Sequence, residues 1–263
     1  MVPATGRMRT IFPERFGYGV DKIPTGWYVN TMTQDSTTDP VSGGNEPQRP
    51  ALRQARGQAR ARILDAARAL IREKGYSAMT VDDLCARAGV TKGAFFHHFK
   101  SKEELGVAAA RDWSEMTGAL FEQAPYHAPE DPLERVLAYI RFRRDLVAGP
   151  IPEFTCVVGT MTQEIHDLIP AIRDACRDSI FDHAATLEAD IQAAIDKYGI
   201  RAPFDAKSLA LHTQAVIQGG FILSKAGQDP ALTVQSIDHL ECYFKLLFGD
   251  GEAVQPAGTP APE

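Results

Sequence analysis

Three helix starts and one glycine turn are packed into residues 80–105, TVDDLCARAGVTKGAFFHHFKSKEEL. Thr80 stands where an N-cap belongs, and Asp83 three positions later closes a capping box. Val81, Leu84, Cys85 and Ala88 then recur at helical spacing, which predicts a two-turn amphipathic helix. Gly89 can adopt the left-handed conformation that ends it, Val90 plugs the corner, and Thr91 caps the next helix. Ser101 with Glu104 marks another capping box, so a third helix begins at Lys102.

A turn of about three residues between two short helices is the spacing of a helix-turn-helix, whose second helix lies in the major groove of duplex DNA. That second helix, residues 92–98, is poorly suited to a core. It carries Lys92, Gly93, His97 and His98 beside Phe95 and Phe96. Gly93 costs about 1 kcal/mol against Ala, a cost that makes sense where a backbone must approach a phosphate or base edge. Lys102 adds a cation and free N–H groups near the same surface.

The segment KGAFFHHFKSKEEL resembles the recognition-helix signature of the TetR (tetracycline-repressor-like) family of one-component transcriptional regulators. The preceding helix, residues 58–74 with Ile63, Ala67, Leu70 and Ile71 inward and Gly75 as its stop, is similar to that family's first helix. The likeness is specific over residues 59–105 and faint afterwards. The family commonly has Tyr where Phe96 stands, and Phe cannot donate a hydrogen bond to phosphate. His97 or His98 would supply that contact. The resemblance implies a dimeric, ligand-responsive repressor that binds a palindromic operator. Lys92 and Gly93 would meet base edges, with Thr80, Thr91, His97, His98 and Lys102 on phosphates.

The charge distribution agrees. The chain carries a formal charge of −6 overall, yet residues 51–106 hold eleven Lys/Arg against six Asp/Glu, and residues 107–263 hold twelve against twenty-three. An acidic body tied to a basic reader suits a protein of which one face meets a polyanion. Arg53, Arg56, Arg60 and Arg62 form an arm before the first helix that could reach the DNA backbone or minor groove. The alternative is a solvated helix face. A helical adaptor applying its basic face to an acidic protein is the other functional reading, but it leaves Gly93, His97 and His98 unexplained.

No nucleophile elbow, phosphate-binding glycine loop or HExxH helix is present, and nothing selects a pair of catalytic carboxylates. The expectation is no enzyme and no cofactor. Cys85, Cys156, Cys176 and Cys242 lack the spacing of a disulfide framework or zinc site. No apolar run approaches a membrane span and the N-terminus lacks a compact signal core, so a cytoplasmic protein is expected. Residues 1–50 read as a disordered or mis-assigned extension, with a start near Met32 as one possibility and an aromatic docking peptide as the other. Residues 251–263 read as a disordered tail.

The fold class is therefore all-α: a helix-turn-helix domain over residues 51–106 and a larger helical domain over 107–250 for effector binding and dimerisation. Helices are expected at residues 102–123, 133–147, 153–166, 170–197, 205–225 and 232–248. In the last two, Ala215, Val216, Gly219, Gly220 and Leu223, then Ile237, Leu240, Phe244, Leu247 and Phe248, offer either a dimer interface or closure of the core. The resemblance favours a four-helix bundle between subunits. It also implies a small-molecule pocket, for which Trp113, Met116, Tyr139, Phe142, Cys156, Met161 and His166 offer a mainly apolar lining. Arg141, Arg143 and Arg144 could recognise a carboxylate, although two of the three must face solvent. Cys156 invites a thiol-sensor reading by likeness to some relatives, against the simpler reading of a small buried hydrophobe.

Overall fold

The computed structural model describes residues 49–249 except Ala202, with side chains from residue 57 onward. Among these residues there is no strand. Eleven α-helices follow one another: α1 (Arg49–Lys74), α2 (Val81–Ala88), α3 (Lys92–His98), α4 (Lys102–Glu122), α5 (Pro132–Asp145), α6 (Ile151–Phe154), α7 (Val157–Ile165), α8 (Pro170–Ala185), α9 (Glu188–Tyr198), α10 (Ala206–Gly227) and α11 (Ala231–Phe248). The expected extension 1–48 and tail 250–263 lie outside the described residues.

Helix α1 is longer than the sequence reading, so Arg53 and Arg56 lie within its helical span and not in an arm before it. Its buried Ile63, Leu64, Ala67, Leu70 and Ile71 recur at helical spacing, and α2 and α3 pack against it. Phe95, Phe99 and Leu105 are likewise buried. The reader is thus a small three-helix unit whose core is supplied by its own caps and stripes. Helix α4 runs without a break across the boundary read between residues 106 and 107, so no hinge separates reader from body there.

Two expected helices are broken. The one read over 153–166 divides into α6 and α7 because Thr155 and Cys156 are extended (ψ 161° and 127°). The long one read over 170–197 divides into α8 and α9 at Thr186 and Leu187. There the Thr186 hydroxyl donates back to His183 O at 2.8 Å and Leu187 N bonds Ala184 O. That tightening turns Leu187 into the core, where it is 2 % exposed. A Thr side chain that bonds a helical carbonyl weakens and bends the helix slightly, and here the burial of Leu187 completes the break.

The body core gathers Phe121, Tyr126, Tyr139, Ile140, Ile191, Leu209, Ile217, Phe221, Leu240 and Phe244, with others, from α4, the short turn Pro125–His127, α5 and α9 to α11. Helices α10 and α11 form a tight antiparallel pair. A Cβ on Gly220 would sit 3.2 Å from Thr233 Cα, and Ser224 Oγ and Thr233 Oγ1 share a buried hydrogen bond of 2.6 Å. Gly220 therefore serves this intramolecular contact and not a subunit interface. The same holds for the α11 stripe: Ile237, Leu240, Phe244 and Phe248 are each at most 4 % exposed and belong to the core.

Candidate functional site

The reader's geometry follows from its caps. Thr80 Oγ1 accepts from Asp83 N at 3.1 Å, and Asp83 Oδ2 accepts from Thr80 N at 2.9 Å. Thr80's hydroxyl also donates to Asp83, and Lys74 Nζ adds a salt bridge to Asp83 at 2.6 Å. The Lys74 and Thr80 hydrogen bonds hold the Asp83 carboxyl well below its ordinary range. Gly89 is left-handed (φ 60°, ψ 44°), and Val90 N reaches back to Cys85 O at 3.0 Å. Thr91 caps α3 through Ala94 N at 3.1 Å. At α4, Ser101 Oγ accepts from Glu104 N, but the Glu104 carboxylate reaches back to Lys100 N and not to Ser101 N. The cap is one residue wider than a capping box.

Packing of Phe95 inward leaves Thr91, Lys92, Gly93, Phe96 and His97 exposed on α3, with His98 half-buried. Lys92 Nζ pairs with Asp82 at 2.7 Å, both well exposed; such a pair is readily exchanged for another anion. At Gly93 a Cβ would approach nothing closer than Thr91 Oγ1 at 3.8 Å, so nothing within the described residues requires glycine there. Phe96 is 53 % exposed, an apolar contact surface at the position where the resembled family commonly has Tyr. Lys102 is half-buried, with its ammonium on Ser77 O at 3.1 Å and over the Tyr76 ring at 4.5 Å. Burial lowers its pKa.

Reader and body are joined side to side. Arg68 pairs with Asp112 of α4, and Arg72 donates to Glu153 O at 2.9 Å while lying 5.4 Å over the Trp113 ring. The Glu164 carboxylate of α7 accepts from Ser77 N at 2.8 Å and fills the space a Cβ on Gly75 would need. Gly106 lets α4 approach Ile172 of α8 with the same economy. Trp113, expected to line a pocket, therefore stands in the seam between reader and body.

Of the other expected pocket residues, Tyr139 and Phe142 come together around Phe121 and Tyr126, and the rest separate. Tyr139 lies in the body core, and Phe142 and Cys156 pack against it. Met161 is buried in α7, Met116 is half-buried on α4, and His166 is exposed at the end of α7, where it faces Asp167 at 3.4 Å. Cys156 is the N-cap of α7, its Sγ accepting from Gly159 N at 3.4 Å.

What the structure does bring together is a polar group in an aromatic setting. Tyr139 Oη lies 2.9 Å from His183 Nε2 and accepts from Gln214 Nε2 at 3.0 Å and Arg143 at 3.3 Å. Arg143 also reaches His183 Nε2 at 3.2 Å. An arginine only donates, so Nε2 is an acceptor and His183 is neutral. Burial of the ring, then the Arg143 charge, push its pKa down to about 3. The residue is half-buried by area, but its acceptor nitrogen is enclosed, which is what sets the proton equilibrium. The Phe121 ring lies 4.4 Å from the His183 ring, tilted by 50°, with Phe142 against Phe121 and Tyr126 against Tyr139 and Phe142. Phe121, His183 and Gln214 escaped the sequence reading, since no motif links residues so far apart.

On the opposite side of the α10–α11 pair, Ile222, Leu223, Tyr243 and Leu246 are exposed, Leu246 by 82 %, with Ala215 and Gly219 beside them.

Residues 63–109 match the family model for bacterial regulatory proteins of the tetR family, and residues 132–240 match the tetracyclin repressor-like C-terminal domain. The chain is 32% identical over 136 residues to the transcriptional regulator AcuR of Cereibacter sphaeroides, covering 49% of this chain and 61% of that protein. It is 26% identical over 119 residues to the HTH-type transcriptional repressor DhaR of a Mycobacterium species, covering 45% and 58%. The chain thus spans about three fifths of the length of these curated relatives. A crystal structure of a TetR transcriptional regulator from Chloroflexus aurantiacus superposes with a TM-score of 0.64 at 25% identity, covering 73% of this chain and 96% of that one.

Proposed function

The chain belongs to the TetR family of bacterial regulatory proteins, and from that premise we propose that it is a ligand-responsive repressor. It binds a palindromic operator as a homodimer in the cytoplasm and leaves it when a small molecule occupies the body. The observation that carries the reading is the exposed, cap-fixed face of α3, with Gly93 open to approach. Helix α3 enters the major groove by its N-terminal end, where Lys92 exchanges Asp82 for a base edge and Gly93 admits the backbone. Thr80, Thr91, His97, His98 and Lys102 border the groove on phosphates, and the exposed Phe96 meets an apolar base edge. The reading assigns the protein no catalytic step.

Two readers are required to span two half-sites about one helical turn or a multiple apart. The exposed apolar face of α10 and α11 supplies the interface, with Gly219 and Ala215 permitting close approach. Helix α4 links the two functions. Lys102 stands at its reader end and Phe121, against His183, at the other, about 28 Å away at the helical rise. A ligand that prefers the DNA-incompetent arrangement about 100-fold contributes roughly 2.7 kcal/mol of coupling, and DNA weakens ligand binding by the same factor.

Selection of duplexes from a random pool, followed by sedimentation, tests this. The expected product is an inverted repeat bound by two chains, and Leu246→Asp should yield a monomer with much weaker binding. Enrichment of no sequence would overturn the reading.

A further inference from the structure

The body holds an inward-facing guanidinium with no carboxylate partner among the described residues. On α5, Arg141 pairs with Glu241 and Glu134, and Arg144 with Asp238. Arg143 turns inward and has no carboxylate within ion-pair distance among the described residues. Its NH1 nitrogen is committed to Tyr139 and His183, and its plane lies 5.2 Å over Phe121. Its Nε and second terminal nitrogen have no acceptor among the described residues. Thr155 Oγ1 is the one sealed side-chain polar atom without a partner there, so those two nitrogens are reachable from solvent.

We propose that Arg143 is the anion-binding element of the effector site and takes the carboxylate of a small organic acid, whose apolar part lies against Phe121, Phe142 and Tyr126. This rests on the effector reading above and names the chemical class. The Nε and terminal N–H groups of a guanidinium form two parallel donors at the spacing of a carboxylate's oxygens. Here that fork is held in advance by the NH1 hydrogen bonds and the stack on Phe121, so little side-chain freedom is lost on binding.

The polar groups that touch Arg143 carry no negative charge, and Asp190, which acts on Tyr126, is already paired with Arg135. Tyr139 Oη accepts from Gln214 and Arg143 and directs its own proton to His183, and His183 is neutral. A neutral ligand covering this site would seal an unpaired cation, which is costly, whereas a monoanion neutralises it. One uncommitted guanidinium suits one charge; the nearby Arg141 and Arg144 are already paired, so a phosphate dianion lacks its second cation. The site also reports to the reader. Its His183 ring touches Phe121 on α4, and α8, which carries His183, meets the start of α4 where Ile172 packs on Gly106.

The test uses the full chain and matched pairs of straight-chain and aromatic monocarboxylates with their primary amides, read by melting temperature and tryptophan fluorescence at neutral pH. At least one acid should bind saturably and its amide at least about tenfold more weakly. Arg143→Gln should bring acid and amide together while retaining helicity and affinity for the selected duplex. Arg143→Lys, which keeps the charge but not the fork, should weaken the acid several-fold and leave the amide unchanged; this decides the matter if the Gln variant fails to fold. Equal binding of acids and amides, binding of no acid, or an acid preference that survives Arg143→Gln overturns the proposal. Should amides bind and release the protein from DNA, the effector reading stands and the anionic class falls. Failure of the unmodified chain to bind any duplex would instead overturn the parent reading.

Discussion

The α3 surface and the Tyr139 network are both polar groups placed on aromatic supports, yet they are built at opposite ranges. Around α3, each cap joins residues three positions apart, as Thr80 with Asp83 and Thr91 with Ala94, and the working face stays open. Around Tyr139, the partners come from 44 and 75 positions away, and the network closes on itself apart from one edge of Arg143. A local device presents its groups to a large, repetitive partner. A long-range device surrounds a small one. The difference also predicts what each tolerates: changes on α3 should alter DNA binding with stability intact, and changes in the network should alter ligand binding and stability while helicity and DNA affinity remain.

The sharpest break of this comparison is Gly93→Gln. A longer side chain has room in the free protein and a better helix propensity, so stability should hold or rise by about 0.5–1 kcal/mol. Operator affinity should fall about 100-fold or more, about 2.7 kcal/mol. Retained affinity in a mobility-shift titration would mean that no backbone approaches DNA at α3. Next in size, Lys92→Ala should weaken the selected operator on the order of 10- to 100-fold and relax base preference. Lys102→Ala should weaken all duplexes alike and lower the salt slope by about 1; its existing bond to Ser77 O makes an unchanged slope the result to watch, and that result would remove Lys102 from the phosphate contacts.

The network has its own signature in pH. His183 is neutral in the fold with a pKa of about 3, against an ordinary value near 6.5 in the unfolded chain. Between those values the unfolded state binds more protons, so this contribution is complete above about pH 6.5 and is lost as pH falls toward 3, by up to about 1.4 kcal/mol per pH unit. Urea melts of His183→Gln across that window should show a flatter profile than the unmodified chain. Equal slopes would place His183 in water. The smallest expected effect is on Phe121→Leu: operator affinity without ligand should stay within about twofold, and release by an acid found above should need more of it. Unchanged release would take Phe121 out of the coupling.

The reader was legible because its signals are local. Thr80, Gly89, Thr91 and Ser101 act within four residues of themselves, and the structure departs from expectation in where Glu104 reaches and in the longer α1, which takes in Arg53 and Arg56. The body was legible as helices and much less as a site. Nothing in the sequence distinguishes His166 from His183, and only packing separates an exposed helix end from a ring set against Phe121 and Tyr139. The two broken helices failed for the same reason, since neither Thr155 nor Thr186 carries a local signal strong enough to stop a helix. In α11 the apolar stripe suits either an interface or closure of the core; the core takes it, and the face left outside is Tyr243 and Leu246 one step around the helix.

By itself the sequence determined the all-helical class, the helix-turn-helix with its caps, the basic reader set against an acidic body, and the residues presented on α3. Hydrogen bonds between near neighbours and helical periodicity need no distant partner, and both are complete once the chain is written. Which of three arginines turns inward, which histidine loses its proton and which side of α11 stays bare were decided by tertiary structure. Each depends on burial against residues far along the chain, and burial is a property of the packed molecule alone.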